Sequence, residues 1–229
     1  MKKYEDFYEK GYRIFEFDPC GLNSILLEIL EGKVKEGFDL SQKYSRTLDL
    51  RPNVIDYSDL FIQVLKNNNV KKLVRETTLR DLSLYHVQVR VASSEVSYMD
   101  WHRDTYFDGI KKSGMMPPGI KIIYYPQFDD LEQDRLIVAE RSQRTMIDIH
   151  ENDIKLINMF PKKTISTSNS KAVLFDTSIL HSVVPDKKDQ PSIRLIYSFL
   201  SKEQIRDSIS AGNPNGELHI RTEKLYDLL

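Results

Sequence analysis

The chain has one cysteine, Cys20, among its 229 residues, so no disulfide can close within it and thiolate metal sites drop out of consideration. That usage fits a reducing compartment. The sequence also lacks any apolar run near the roughly 18 residues that a membrane helix needs, and its opening, Met1-Lys2-Lys3-Tyr4-Glu5-Asp6, has no apolar leader core. A soluble, cytoplasmic protein is expected, with no membrane partner. An excess of charge of one sign is missing too. The 33 basic residues face 34 acidic ones, a net charge of -1, which removes the electrostatic case for nucleic acid. A small-molecule substrate is the expectation that remains. Histidine is scarce, at five residues, so each one can be weighed by its surroundings.

What is present is an ordinary globular composition, 40% apolar, enough for one sizeable core and a single domain over residues 1–229. The first 80 residues read as mostly helical. Tyr12–Phe17 alternates as a strand does, and helical spacing follows at Leu22, Leu26, Leu27, Ile29 and Leu30, with Asn23 or Ser24 as the expected N-cap. Further helical patterns cover Phe61–Leu65 and Val70–Val74. From Leu82 the period changes to two: Val87, Val89 and Val91 take one face of a strand, and His86, Gln88 and Arg90 take the other. Short apolar runs then recur at Ile120–Tyr125, Leu136–Ala139, Ala172–Phe175, Leu180–Val184 and Ile193–Leu200, separated by turn residues. The pattern predicts a mainly β fold with flanking helices, a sandwich or barrel such as the double-sheet jelly roll. Residues 82–200 form its core. Ile154–Met159 reads as a short helix, the segment 201–229 as helical, and Asp108–Gly119 as a candidate lid.

His102-Arg103-Asp104 is the informative tripeptide. With 5 histidines and 20 aspartates, chance alone yields roughly 0.4 His-x-Asp matches in a chain of this length, so the context must carry the reading. Alternation in an extended segment turns His102 and Asp104 to one side. His181 lies in the apolar stretch Ile179–Pro185, where a histidine is more often a satisfied core residue. Arg194, thirteen positions later, changes that balance. Ile193, Leu195, Tyr197 and Phe199 share one strand face, leaving Arg194, Ile196 and Ser198 on the other, and a guanidinium inside a barrel needs an anionic partner. Two imidazoles and a carboxylate are the donor set of a facial triad on non-haem Fe(II), and Arg194 could hold the carboxylate of a co-substrate. His86, His150 and His219 have no second ligand at comparable spacing.

These residues resemble the Fe(II)/2-oxoglutarate-dependent dioxygenases, and among them the phytanoyl-CoA dioxygenase-like family. The resemblance runs through Tyr85–Val91, Trp101–Phe107, Leu136–Ser142, Lys171–His181 and Arg194, roughly residues 82 to 200. It implies a double-stranded β-helix of the cupin-like kind. In it His102, Asp104 and His181 would bind Fe(II) as the catalytic centre, Arg194 would bind the C5 carboxylate of 2-oxoglutarate, and O2 would be the oxidant. Gln88 and Arg90, and more weakly Tyr124 and Ser198, are candidates to touch the co-substrate. The chain has Arg141-Ser142-Gln143 where the family often has a Gly-Ser-His type sequence, and it lacks the common Arg-x-Ser triplet, so the second partner of that carboxylate stays open. The intact Asp104 implies hydroxylation or desaturation and not halogenation. Tyr98, Trp101, Tyr106, Phe107 and Tyr125 are candidate substrate-lining aromatics, and Asp129, Asp130, Glu132 and Asp134 form a local acidic cluster. Two alternatives remain: a non-catalytic jelly-roll binding protein, and a cupin-like metalloenzyme that does not use 2-oxoglutarate.

Overall fold

The computed structural model describes residues 2–31, 43–44, 47–50, 54–92, 99–104, 119–126, 135–145, 155–165, 170–184 and 192–210. Its elements run α1 (Lys2–Lys10), β1 (Tyr12–Glu16), α2 (Leu22–Leu30), β2 (Lys43–Tyr44), β3 (Thr47–Leu50), α3 (Val54–Tyr57), α4 (Leu60–Asn67), α5 (Val70–Thr78), β4 (Ser83–Ala92), β5 (Met99–His102), β6 (Ile120–Tyr124), β7 (Arg135–Ala139), β8 (Lys162–Ile165), β9 (Lys171–Asp176), β10 (His181–Val184), β11 (Ser192–Leu200) and α6 (Lys202–Ser210). A 3-10 turn at Ile157–Met159 stands where a short helix was expected. The helical expectation for residues 222–229 lies outside the described residues, as does all of the candidate lid except Gly119.

The strands form two antiparallel sheets, as the jelly-roll pattern required. The larger has the order β1-β9-β6-β11-β4-β3-β2 and the smaller β5-β10-β7-β8. From β4 to β7 and again from β8 to β11 consecutive strands alternate between the sheets, and β10 brings His181 back beside β5. The amino-terminal residues supply helices and also β1, β2 and β3, which extend both edges of the larger sheet. α2 starts at Leu22 behind Gly21, whose φ of 84° occupies the left-handed region, and not behind Asn23 or Ser24.

Period-two alternation divides the larger sheet into two functional faces. Val87, Val89, Ile122, Tyr124, Leu195, Tyr197 and Phe199 pack against Leu22, Leu26, Phe61 and Leu65 of the helices. The opposite positions, including Ile123, Val173, Phe175 and Ile196, meet Leu136, Val138 and Val183 of the smaller sheet. This second layer is where side chains from both sheets can converge. Among the described residues no helix is long and apolar enough to cross a membrane.

Gly119 fixes the start of β6. A Cβ there would lie 2.6 Å from Leu200 Cδ2 and 2.8 Å from Phe199 O, while the Gly119 carbonyl accepts bonds from Thr177 N at 3.0 Å and Thr177 Oγ1 at 2.9 Å. Gly119→Ala should cost about 1–3 kcal/mol through overpacking and lower the melting temperature by several degrees. Thermal denaturation checks this, and an unchanged melting temperature would count against the crowding seen at β11.

Candidate metal centre

His102 ends β5 and His181 begins β10, and the two are register partners across the smaller sheet. Cross-strand partners stand side by side, so the rings meet with centroids 4.2 Å apart. Asp104, two residues past His102, returns to the same side as the alternation predicts. Its Oδ1 lies 3.8 Å from His102 Nε2 and its Oδ2 lies 3.6 Å from His181 Nε2. One donor atom from each residue falls within 4.8 Å of the others.

Backbone contacts aim these donors. His102 Nδ1 is 2.7 Å from Asp100 O, and His181 Nδ1 is 3.0 Å from Ile179 O. A proton on each Nδ1 satisfies those carbonyls and leaves the Nε2 lone pair directed at the shared space, the arrangement that metal-binding imidazoles adopt. Buried His102 Nε2 makes no hydrogen bond among the described residues. Donors bound at about 2.1 Å and at right angles would sit about 3 Å apart, so small side-chain rotations suffice for one cation to span all three. Two imidazole nitrogens and a carboxylate oxygen are a donor set that suits Fe(II).

Burial pushes both imidazoles towards the neutral form, against the pull of Asp104, and takes His181 down to about 4. Burial opposes ionisation of Asp104, yet Lys121 foremost, with His181 and His102, holds it well below the usual carboxylate range. The Lys121 Nζ lies 2.9 Å from Asp104 Oδ1. At neutral pH the site thus holds two neutral imidazoles and one carboxylate, the protonation states that a divalent ion needs.

Arg194 is buried at 3% exposure and shares its strand face with Ile196 of the inter-sheet cluster. Its register partner is Arg90, and Gln88, also buried, pairs with Ile196. Ser198 lies further along the same face, opposite Lys121 and His86. Arg194, Gln88, Arg90 and Ser198 therefore lie on the face that looks towards the triad's sheet. Tyr124 does not. Its parity on β6 turns it to the helices, where it donates to Asn23 Oδ1 at 2.8 Å and packs on Phe17. Trp101 also departs from expectation, because the residue before His102 must face the other way. It packs with Ala139, Ile157 and Leu180, under the Lys162 ammonium. Tyr125 is buried in the inter-sheet cluster. Tyr98, Tyr106, Phe107 and the acidic cluster at 129–134 lie outside the described residues.

Sequence reasoning missed Lys121 and gave Arg103 no role. Lys121 was readable as the one charged position inside the apolar run Ile120–Tyr125. Arg103, by contrast, carried no periodic signal, because it sits between two ligands and points away from both.

For the metal-free protein, the melting temperature should hold above pH 6.5 and fall as pH drops towards about 4. His181 binds protons more weakly folded than unfolded, so acid in that window favours the unfolded chain. His181→Asn should flatten this slope. Scanning fluorimetry across pH tests it, and equal slopes in the two proteins would refute the assignment.

No family model and no curated protein matches the chain. Solved structures share its fold. HygX from Streptomyces hygroscopicus, with nickel and 2-oxoglutarate bound, superposes with a TM-score of 0.62 at 14% identity, over 88% of this chain and 87% of that one. EctD from S. alaskensis with bound Fe gives 0.63 at 14% identity, over 87% and 76%. SnoN, a non-heme alpha-ketoglutarate-dependent epimerase from nogalamycin biosynthesis, gives 0.67 at 12% identity, over 87% and 82%.

Proposed function

We propose that this protein is an Fe(II)- and 2-oxoglutarate-dependent oxygenase that hydroxylates a small molecule, with release of succinate and CO2. The observation that carries the reading is the convergence of His102, Asp104 and His181 within 4.8 Å, with Nδ1 of both imidazoles tied to backbone carbonyls. The fold shared with HygX, EctD and SnoN supports it, since each of those structures binds iron, nickel or 2-oxoglutarate or is named for that dependence.

In this reading His102 Nε2, His181 Nε2 and an oxygen of Asp104 hold the metal, and Arg194 receives the C5 carboxylate of the co-substrate. Bound Fe(II) with 2-oxoglutarate supplies dioxygen activation and the power to oxidise a C–H bond. The chain supplies placement. Gln88, on the strand beside Arg194 and buried at 3% exposure, would bind the middle of the co-substrate. Ile123, Ile196, Phe175 and Val183 exclude water from the layer behind it. Asp104 occupies the third protein position, which favours hydroxylation over halogenation.

Anaerobic titration with Fe(II) and 2-oxoglutarate should produce a visible metal-to-ligand charge-transfer band, and admitting air should yield succinate. Arg194→Met should weaken 2-oxoglutarate binding by about a hundredfold, the cost of removing one partner of a buried ion pair, with Fe(II) uptake retained. A protein that takes up Fe(II) but shows neither band nor succinate is a metalloenzyme of another kind, and one that takes up no Fe(II) is a binding protein. Either result would overturn the proposal.

A further inference from the structure

The inward face of β4, β11 and β6 is a ladder of three cross-strand rows. Lys121, Ser198 and His86 form the first, Ile123, Ile196 and Gln88 the second, and Arg194 and Arg90 the third. Four residues of β11 separate the first row from the third, about 13 Å of strand. The ladder thus carries Lys121 at one end and Arg194 and Arg90 at the other.

Lys121 touches the metal-binding carboxylate, Nζ to Asp104 Oδ1 at 2.9 Å. Without metal the two charges offset each other. A divalent ion on Asp104 and two neutral imidazoles raises the local sum to +2 once Lys121 is included. The doubly negative co-substrate, with its far carboxylate paired to Arg194, returns only one charge to this end. Among these groups one positive charge is left over, and it is on Lys121. The cation that offsets Asp104 in the metal-free protein opposes metal binding once an ion arrives. A counter-charge arriving with the reactant would balance it there.

Resting on the iron and 2-oxoglutarate reading, we infer that Lys121 is the substrate's anion-binding residue, and that the primary substrate bears a carboxylate or phosphate near its reacting carbon. Lys121 then bridges Asp104 and that anion, which fixes the substrate beside the metal through one charge-assisted bond. Ser198 and His86, in the same row, border the subsite.

The experiment uses the full chain loaded with Co(II) and saturating 2-oxoglutarate at constant ionic strength, and reads the visible Co(II) ligand-field spectrum. Inorganic phosphate and acetate are the anionic probes, and acetamide is the neutral control. Phosphate, acetate or both should shift the spectrum saturably, the stronger response identifying the anion class, and acetamide should not. Lys121→Met should raise the half-saturating anion concentration at least about tenfold, while Lys121→Arg keeps the response. Co(II) and 2-oxoglutarate binding should survive in both variants, with Lys121→Gln as a second neutral replacement if Lys121→Met folds poorly. The inference is overturned if neither anion perturbs the wild-type spectrum, if both neutral variants respond as wild type does, or if they lose 2-oxoglutarate binding first. Absence of any 2-oxoglutarate-dependent spectrum in the wild type would instead sink the parent reading, and this one with it.

Discussion

The Arg103 guanidinium, buried at 2% exposure, donates to the backbone carbonyls of Ser142 and Ser178. A buried charge of this kind is unfavourable unless its hydrogens are used, so the two carbonyls are held where the guanidinium demands them. Ser178 lies three residues before His181, and Ser142 belongs to the turn after β7. Ser142 Oγ in turn accepts Leu180 N at 2.8 Å, and Leu180 O accepts Ala139 N at 2.9 Å. On the other side, Asp104 N donates to Thr177 O at 2.9 Å, and Thr177 N to Gly119 O at 3.0 Å. Arg103 thus ties the segment that carries His102 and Asp104 to the turn that launches His181. Without it, residues 79 positions apart would depend on strand pairing and the Asp104 N–Thr177 O bond for their relative placement.

How much of this was legible in the sequence follows from which interactions are periodic. Val87, Val89 and Val91 announced β4, and the face that they left to His86, Gln88 and Arg90 is the inward one. The spacing of His102 and Asp104 was enough to put both on one side, because period two is a property of any extended segment. Tyr124 shows the limit. It was grouped by chemistry with the co-substrate candidates, but its parity matches Ile120 and Ile122, so it had to join the helical layer. Trp101 failed for the same reason, one residue out of phase with His102. Arg103 and Lys121 were not placed because their partners, two carbonyls and Asp104, are non-local. A pattern along one strand cannot show what stands across from it. Gly21 at the start of α2 is a smaller case, where positive φ, and not a side-chain cap, set the boundary.

The larger sheet meets two opposed demands by giving each face a different chemistry. Its helix-facing side is almost wholly apolar and supplies stability in proportion to the area buried. The inward side interrupts its apolar cluster with Lys121, Gln88, Arg90 and Arg194. Polar groups there cost desolvation and contribute little to folding, so the burden of stability falls on the helical side. The helices α2, α4 and α5 are accordingly part of the site's support, although none of their residues reaches the triad.

The Lys121 contact also decides whether the triad needs a metal in order to exist. Three ligands gathered for a cation would ordinarily strain the empty protein, because a partly buried carboxylate beside two imidazoles lacks a counter-charge. Here Lys121 provides one at 2.9 Å, and burial keeps the imidazoles neutral. With Nδ1 of each ring satisfied by its own backbone carbonyl, the Nε2 atoms remain aimed at Asp104 with no ion between them. The arrangement is therefore built by folding and available to metal afterwards. A cation bound there would draw the three donors closer together and share the attraction of Asp104 with the Lys121 ammonium.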